Sequence, residues 1–445
     1  MALETEFGVP SVAVHTDAFA RLVDSVLRVN GMPRARRAFV PTPLMEKTPA
    51  ELRAYIEGDD PVRGRPFMAE VIGSLTTPVA PEDARGNGHA RSSARLLEHD
   101  SEENLHRRFR DEGWTDYLPI VLPTEARVAA MLAGTSHGPD EVVGRLQPTN
   151  YREFWEFTVE QVAVNAVMAG ADPAYLPVIL ALASTGITAR NSSTSSIAAM
   201  TMVNGPIRHE IGMNSGLGAL GPYNHANATI GRAFGLLSMN LQGGSVPAES
   251  YMGCQGNNLA YNSVTFAEHE EASPWAPYHV RQGFAADEST VTAFVCWGNV
   301  WTEGLREHWE DKVRSMLAGV DPFLGTILVL SPIAAREFAA RGFGSQEALI
   351  DWVHENVRTP ARLYWNHYAA QTFIREDALN GIEPFASYLA APPDELVPVF
   401  AKDKIEVVVV GGETNAQWSA FIGSRQDRRY LAPEVRYTAS VDAWR

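Results

Sequence analysis

The chain reads as an α/β protein: mixed, mostly parallel sheets flanked by helices, with an incomplete Rossmann-like lobe at its N-terminus. Three observations predict this. From Gly113 onward, short β-rich runs alternate with stretches of helical spacing. The run from Ile405 to Val410, IEVVVV, is apolar without a break, as a strand buried on both faces requires. The first strand–helix–strand pattern begins only about ten residues into the chain, where a doubly wound lobe would already have a strand and a crossover helix behind it.

The elements follow in order. Residues 11–16 (SVAVHT) form a strand. Asp17 caps a helix whose inner side is Phe19, Leu22, Val23, Val26 and Leu27, with Gly31 as its stop, and Arg37 to Val40 is the second strand. Residues 79–112 are charged and poor in large apolar side chains, as in a solvated linker with one surface helix; His89, His99 and His106 belong to that solvated face. Strands are expected at 117–122 and 141–146, with a helix at 125–132. A helix capped by Thr149 or Asn150 carries Trp155, Val159, Val162, Ala166 and Ala169 on one side and stops at Gly170. Asp172 and Pro173 open a second, nearly all-apolar helix. Strands at 197–203, 263–267, 290–296 and 326–330 are interleaved with helices at 303–317, 333–341 and 346–357. A further helix marked by Ile230, Phe234, Leu237 and Leu241 ends at Gly243 and Gly244, and Glu413 to Asn415 open a short helix in the tail. No solenoid repeat is present. The expected domains are 1–78 (incomplete α/β lobe), 79–112 (linker) and 113–445 (main α/β catalytic domain, with room for two sublobes).

Charge and cysteine content exclude several classes. The 445 residues carry 37 Lys and Arg against 53 Asp and Glu, a net charge of −16, which repels nucleic acid and anionic membranes. Two cysteines, Cys254 and Cys296, make neither a disulfide scaffold nor a four-cysteine zinc site. No apolar run spans a bilayer, and the first residues lack a signal-peptide pattern, so a cytoplasmic, reducing setting is expected.

Two stretches concentrate chemistry. Residues 204–232, NGPIRHEIGMNSGLGALGPYNHANATIGR, join a buried strand to a helix through a loop rich in glycine and asparagine. Glycines let successive amides converge, and a helix N-terminus adds partial positive charge. Asn214, Ser215, Asn227, Thr229 and Arg232 are therefore the expected holders of a small anionic substrate, with Arg232 closing the site by a bidentate contact. Gly216, Gly218 and Gly221 match a dinucleotide fingerprint only in spacing, since no strand leads directly in and no acidic partner follows; no dinucleotide is expected. Residues 266–281, FAEHEEASPWAPYHVR, crowd carboxylates around imidazoles after a strand. Glu268, Glu270, His209 and His279 are the expected acid–base groups, because neighbouring carboxylates raise one another's proton affinity. His209, Glu268 and His279 would also suit a divalent metal such as zinc, iron or manganese. Cys254, in a tight polar loop, is the candidate reactive thiol, and Cys296 a core residue.

Residues 3–19, LETEFGVPSVAVHTDAF, and 42–54, TPLMEKTPAELRA, resemble the part of UGSC family (seleno)proteins that follows their Cys/Sec-Gly-Ser-Cys motif. Later strings, among them TVEQVAVNAVMAGADPAYLPVI, VNGPIRHEIGMNSG, NATIGRAFGLL, EHEEASPWAPYHVRQGF and VVVVGGETN, resemble a long bacterial form carrying this lobe. The resemblance implies thiol or selenol redox chemistry, yet the motif itself would lie upstream of Met1, and neither cysteine of this chain stands in one.

Three functions are carried forward. The first is an enzyme of lyase, hydratase or hydrolase type acting on a small anion by acid–base or metal-assisted chemistry. The second is a thiol-dependent oxidoreductase or sulfur-handling enzyme, using Cys254 or the thiol of a small partner subunit that would also complete the N-terminal lobe. The third is a non-catalytic scaffold subunit. A homo-oligomer is expected in the absence of such a partner.

Overall fold

The computed structural model describes all residues except 1, 30, 31, 33, 46, 81–93, 147–154, 191–195, 242–250 and 426–434. The described residues form two compact units, one within Met1–Asp100 and one from Ser101 onward.

The first unit is built on a parallel pair, β1 (Ala13–Thr16) with β2 (Arg37–Val40), in register Ala13 with Arg37. The helix Ala20–Val29 crosses between them and packs Val23 and Leu27 on Phe39. The sequence placed Asp17 as a helix cap. Its Oδ1 instead accepts from the amides of Ala18 and Thr42 and from the Thr42 hydroxyl, tying the exits of β1 and β2 together. The helix Pro49–Glu57 starts with a reciprocal cap between Thr48 and Glu51. Among the described residues this unit's sheet is that parallel pair alone, with its crossover helix. Gly31, expected to stop the crossover helix, lies outside the described residues.

The second unit opens with the surface helix Glu102–Asp111 and the helix Glu125–Leu132. Residues 117–122, read as a strand, join no ladder; their amides meet isolated acceptors, as Val121 does at the Met168 carbonyl. The hairpin β3 (Val142–Leu146) and β4 (Trp155–Thr158) follows. Trp155 is therefore in a strand, and the helix Val159–Ala169 starts at Thr158, whose hydroxyl accepts from the Gln161 amide while the Gln161 side chain accepts from Thr158. The sequence offered Thr149 or Asn150 because the helical spacing runs back to Trp155, but those two residues lie outside the described ones. Gly170 ends the helix at φ 81°, as expected.

A mixed sheet forms the centre: β5 (Ala198–Asn204), β6 (Thr265–Ala267), β7 (Thr290–Glu303), β8 (Thr326–Leu330), β11 (Ile405–Val409), β12 (Gln417–Ser424) and β13 (Thr438–Ser440). A separate antiparallel pair is formed by β9 (Arg358–Pro360) and β10 (Leu396–Pro398). The order is β11-β8-β12-β7-β5-β6, with β13 beside β7. Only β5/β6 and β8/β11 are parallel; the other four pairings are antiparallel. The expectation of a mostly parallel sheet is thus corrected. It missed β12, where Glu413 to Asn415 make a turn rather than a helix, and it cut β7 short: the strand runs through Glu303, so the next helix is Trp309–Leu317 rather than 303–317.

The sheet rolls until its two edges meet. His269 donates its amide to the Val409 carbonyl at 2.8 Å, and residues 214 and 215 bridge the rest of the seam, with Asn214 O accepting from Ala267 and Ser215 O from Gly411. Residues from all six strands in that order, alternating where more than one contributes, consequently share one interior cluster: Met200, Met202, Phe266, Phe294, Cys296, Ile327, Val329, Val408, Val410 and Phe421. The outer face of β8, β11 and β12 is covered by the helices Pro332–Ala340 and Gln346–Asn356 through Leu328, Leu330, Val407 and Val409. The helix His225–Asn240 lies over β6 so closely that a Cβ at Gly231 would stand 1.8 Å from the Asn262 carbonyl oxygen. Gly231→Ala is expected to cost about 1–3 kcal/mol by overpacking; an unchanged urea midpoint would show that the contact yields freely.

The registers reveal an internal duplication. Val203 pairs with Ala267 and Val291, and Leu330 pairs with Val409 and Trp418. The triplet β5, β6, β7 therefore repeats as β8, β11, β12, and the matched residues 291–295 and 418–422 read VTAFV and WSAFI. The halves meet where β7 and β12 pair antiparallel, which makes them related by an approximate two-fold axis. In the second half, residues 410–416 connect the last two strands directly. In the first half the same connection, residues 268–289, is far longer.

Candidate functional site

That longer connection carries the acidic stretch, and the duplication shows why its residues meet. Asn204 is the last residue of β5 and continues the inward alternation of Met200 and Met202; Glu268 continues that of Phe266 one strand over. Both are fully buried at one end of the rolled sheet. Asn204 Nδ2 donates to Glu268 Oε2, at 2.5 Å, and to Glu270 Oε1, at 2.9 Å. The Tyr278 amide also donates to Glu268 Oε2, and the Gly205 amide to Glu270 Oε1, each at 2.8 Å. Gly205 sits at φ 81° with the Glu288 carbonyl behind it, so the chain leaves β5 in a turn that aims its amide at Glu270.

Arg208 clamps the group from the other side. Its side chain is 4% exposed and pairs with Glu270 at 2.8 Å and Glu271 at 2.9 Å, while also donating to the Gly205 and Glu268 carbonyls. His209 Nε2 meets Glu271 Oε1 at 2.9 Å near the surface. His279 is fully buried. Its Nε2 faces the Ala286 carbonyl at 3.4 Å, which assigns the proton to Nε2 and leaves the Nδ1 lone pair 3.8 Å from Glu270 Oε1. Four buried polar atoms here lack a partner among the described residues: Asn204 Oδ1, Glu268 Oε1, His279 Nδ1 and Thr290 Oγ1. Thr290 is Asn204's neighbour across the β5/β7 ladder. Buried polar atoms are nearly always satisfied, so these four call for partners such as ordered water or another small polar molecule.

The electrostatics divide the carboxyls. Burial pushes Glu268 up to about 7, and the nearby Glu270 adds to the rise, against the Tyr278 and Asn204 hydrogen bonds that favour the charged form. Burial also acts against the charged form of Glu271, but the bonds from Arg208 and His209 overrule it and hold that carboxyl down at about 2. Deeper in, burial raises the Tyr278 hydroxyl and Glu406; Glu406 is offset by Arg425, 2.7 Å away, and by Arg281. One end of the sheet thus holds a carboxyl that keeps its proton near neutral pH, a carboxylate that does not, and an imidazole with a free lone pair. These are the group types that general acid–base chemistry uses.

The structure brings together Glu268, Glu270, His279 and His209. It does not bring Arg232 to them. The Arg232 guanidinium makes two 3.0 Å bonds to the Asp116 carboxylate and a third to the Pro119 carbonyl. Asn214 and Asn227 spend their side chains on the glycine-rich loop itself: Asn227 Oδ1 accepts from the Asn214 amide and Asn214 Oδ1 from the Gly216 amide. Ser215 gives its carbonyl to Gly411, and the Thr229 hydroxyl bonds back to the His225 carbonyl within its helix. The loop seals the seam of the sheet with the Asn214 and Ser215 carbonyls, and its Asn214 and Gly216 amides are spent on its own asparagine side chains. Among the described residues no three His, Cys, Asp or Glu side chains are grouped to hold a metal ion, with His209 exposed while Glu268 and His279 are buried. Cys254 is exposed, and burial raises the Cys296 thiol to about 12. A shallow open depression of 490 Å³ beside Trp309 contains none of these residues.

Asn204, Arg208 and Tyr278 were missed from sequence. Asn204 and Arg208 stood inside the first stretch, in NGPIRHE, and the alternation Met200, Met202, Asn204 was the available signal for the first. In the other half Val410 occupies the position of Glu268. Only the first half has a buried carboxyl at this point.

Residues 1–58 match the profile of the UGSC family. No curated protein and no solved structure matches the chain. The UGSC match covers most of the first unit and none of the Glu268 cluster. Among the described residues no helix is long and apolar enough to cross a membrane.

Proposed function

We propose that the second unit is an acid–base enzyme of lyase, hydratase or hydrolase type, acting on a small polar molecule with Glu268 as its proton donor. The observation that carries this reading is the fully buried Glu268 carboxyl, held at about 7 with Oε1 unpaired beside Glu270 and His279. Glu268 gives a proton, and His279 Nδ1 or Glu270 takes one. Asn204 fixes the two carboxyls relative to each other. Arg208 keeps Glu270 in place and ties both loops to the sheet. Of the inner carboxyls only Glu270 retains some exposure, so substrate enters on its side.

The test joins a spectroscopic and a chemical readout. Near pH 6, infrared difference spectra of the purified chain are expected to contain a protonated-carboxyl band that Glu268→Gln removes. In D2O, proton NMR of small 2-oxo, 2-hydroxy and unsaturated acids is expected to show deuteration or water addition, slowed roughly 10²–10⁴-fold by the same substitution. Turnover that survives Glu268→Gln, or the absence of the band, would remove this reading.

One observation favours a second reading, in which another chain completes the first unit. Among the described residues β1 and β2 pair only with each other, and Leu3, Phe7, Val9, Val14, Leu44, Met45 and Ile56 are exposed on that unit. A thiol-bearing subunit or a second copy would cover them. A monodisperse monomer by light scattering, with no partner retained from its native source, would count against it.

A further inference from the structure

We propose that Arg190 is the cationic base of an oxyanion-binding site, separate from the Glu268 centre and independent of its reading. Arg190 is 9% exposed, and no carboxylate among the described residues lies within ion-pair distance of it. Its guanidinium is only partly satisfied. Nη2 donates to the Ala260 carbonyl at 2.7 Å, Nη1 reaches the Met239 sulfur at 3.1 Å, a weak acceptor, and Nε has no partner. The neighbouring carboxylate, Asp116, is committed to Arg232 through both oxygens. Among the described residues, Arg190, Arg232 and Asp116 therefore leave one positive charge uncompensated in a dehydrated place. Burial acts against that charge, as the lowered proton affinity of Arg190 reflects. An unpaired buried cation is costly to fold around, and a bound anion removes the cost.

The surroundings are built to hold the arginine. The Ser238 hydroxyl accepts from the amides of Ala189 and Arg190 and fixes the backbone. Gly235 lies under the guanidinium, where a Cβ would approach Nη2 to 2.9 Å. The planar fork with a free Nε is the geometry that suits a carboxylate or phosphate group. The sequence pointed to an arginine for an anion. Arg232 has its carboxylate already, and Arg190 has none among the described residues.

The experiment uses the full chain with inorganic phosphate and, in a parallel arm, acetate, at constant ionic strength set with chloride. The Arg190 Nε–H resonance in ¹⁵N-labelled protein is identified by its loss in Arg190→Met. It is expected to shift saturably with one or both anions, and the same anion is expected to raise Tm beyond the chloride control. The arm that saturates at the lower concentration names the group. Arg190→Met is expected to abolish both responses. Should that variant fail to fold, Arg190→Lys, which keeps the charge and lacks Nε, is expected to weaken binding at least about tenfold. A resonance unmoved by either anion, or a response that persists unchanged in the folded variant, overturns the proposal.

Discussion

Glu268→Gln is expected to flatten the pH dependence of stability by about 3 kcal/mol between pH 4.5 and pH 8. The native carboxyl is held at about 7 by burial, against an ordinary value of 4.5. Between those values the native state keeps a proton that the unfolded chain has released. Stability from this group is therefore complete below about 4.5 and is lost as pH rises through about 7. A separation of about 2.5 units at 1.36 kcal/mol each gives the magnitude. The wild-type curve should fall across this window, and the Gln variant, which cannot ionise, should lack that component. Glu406 is also raised by burial, so both proteins retain some slope, and the difference between the two curves isolates Glu268. Glu271, held at about 2, loses its contribution only in more acidic solution and does not enter. Urea denaturation at several pH values measures the difference directly. Parallel curves would mean that Glu268 ionises like an exposed glutamate, and the proposed proton donor would be gone with it.

Much of this arrangement was legible in the sequence, and the failures have physical causes. Strands such as Thr326–Leu330 and Ile405–Val409 are marked by composition, because a strand covered on both faces must be apolar throughout. Their neighbours were harder. Gln417–Ser424 follows a turn of Gly, Glu, Thr and Asn that also opens helices, and its pairing with β7 and β8 is set by contacts more than 80 residues away in sequence. Sheet direction follows from that pairing, so it went wrong with it. The acidic stretch was found because its residue types are unusual together. The glycine-rich loop was found for the same reason, but composition cannot say whether its amides face a ligand or each other. Asn214 and Asn227 are the residues that close it on itself. Duplication was invisible because the two halves share only a short string in register and differ in every loop.

Arg208 gives the other large effect. Arg208→Leu is expected to cost about 3–5 kcal/mol, the usual penalty for removing one partner of a buried ion pair. The argument rests on what would be left behind. Glu270 is 11% exposed and would keep the Asn204 and Gly205 donors but lose its charge partner. The Glu268 carbonyl would lose its bond from Nη1 and the Gly205 carbonyl its bond from Nε. Glu271, half exposed, would turn to water at little cost, so the penalty belongs to the inner contacts. Arg208→Lys separates charge from geometry. One ammonium cannot reach two carboxylates and two carbonyls, so most of the loss should remain, together with a rise in the Glu271 value from about 2 that carboxyl-labelled NMR would follow. If lysine restores full stability, Arg208 is only a charge. If it does not, the guanidinium is what joins the turn after β5 to the connection after β6, and the position of Glu268 depends on that join.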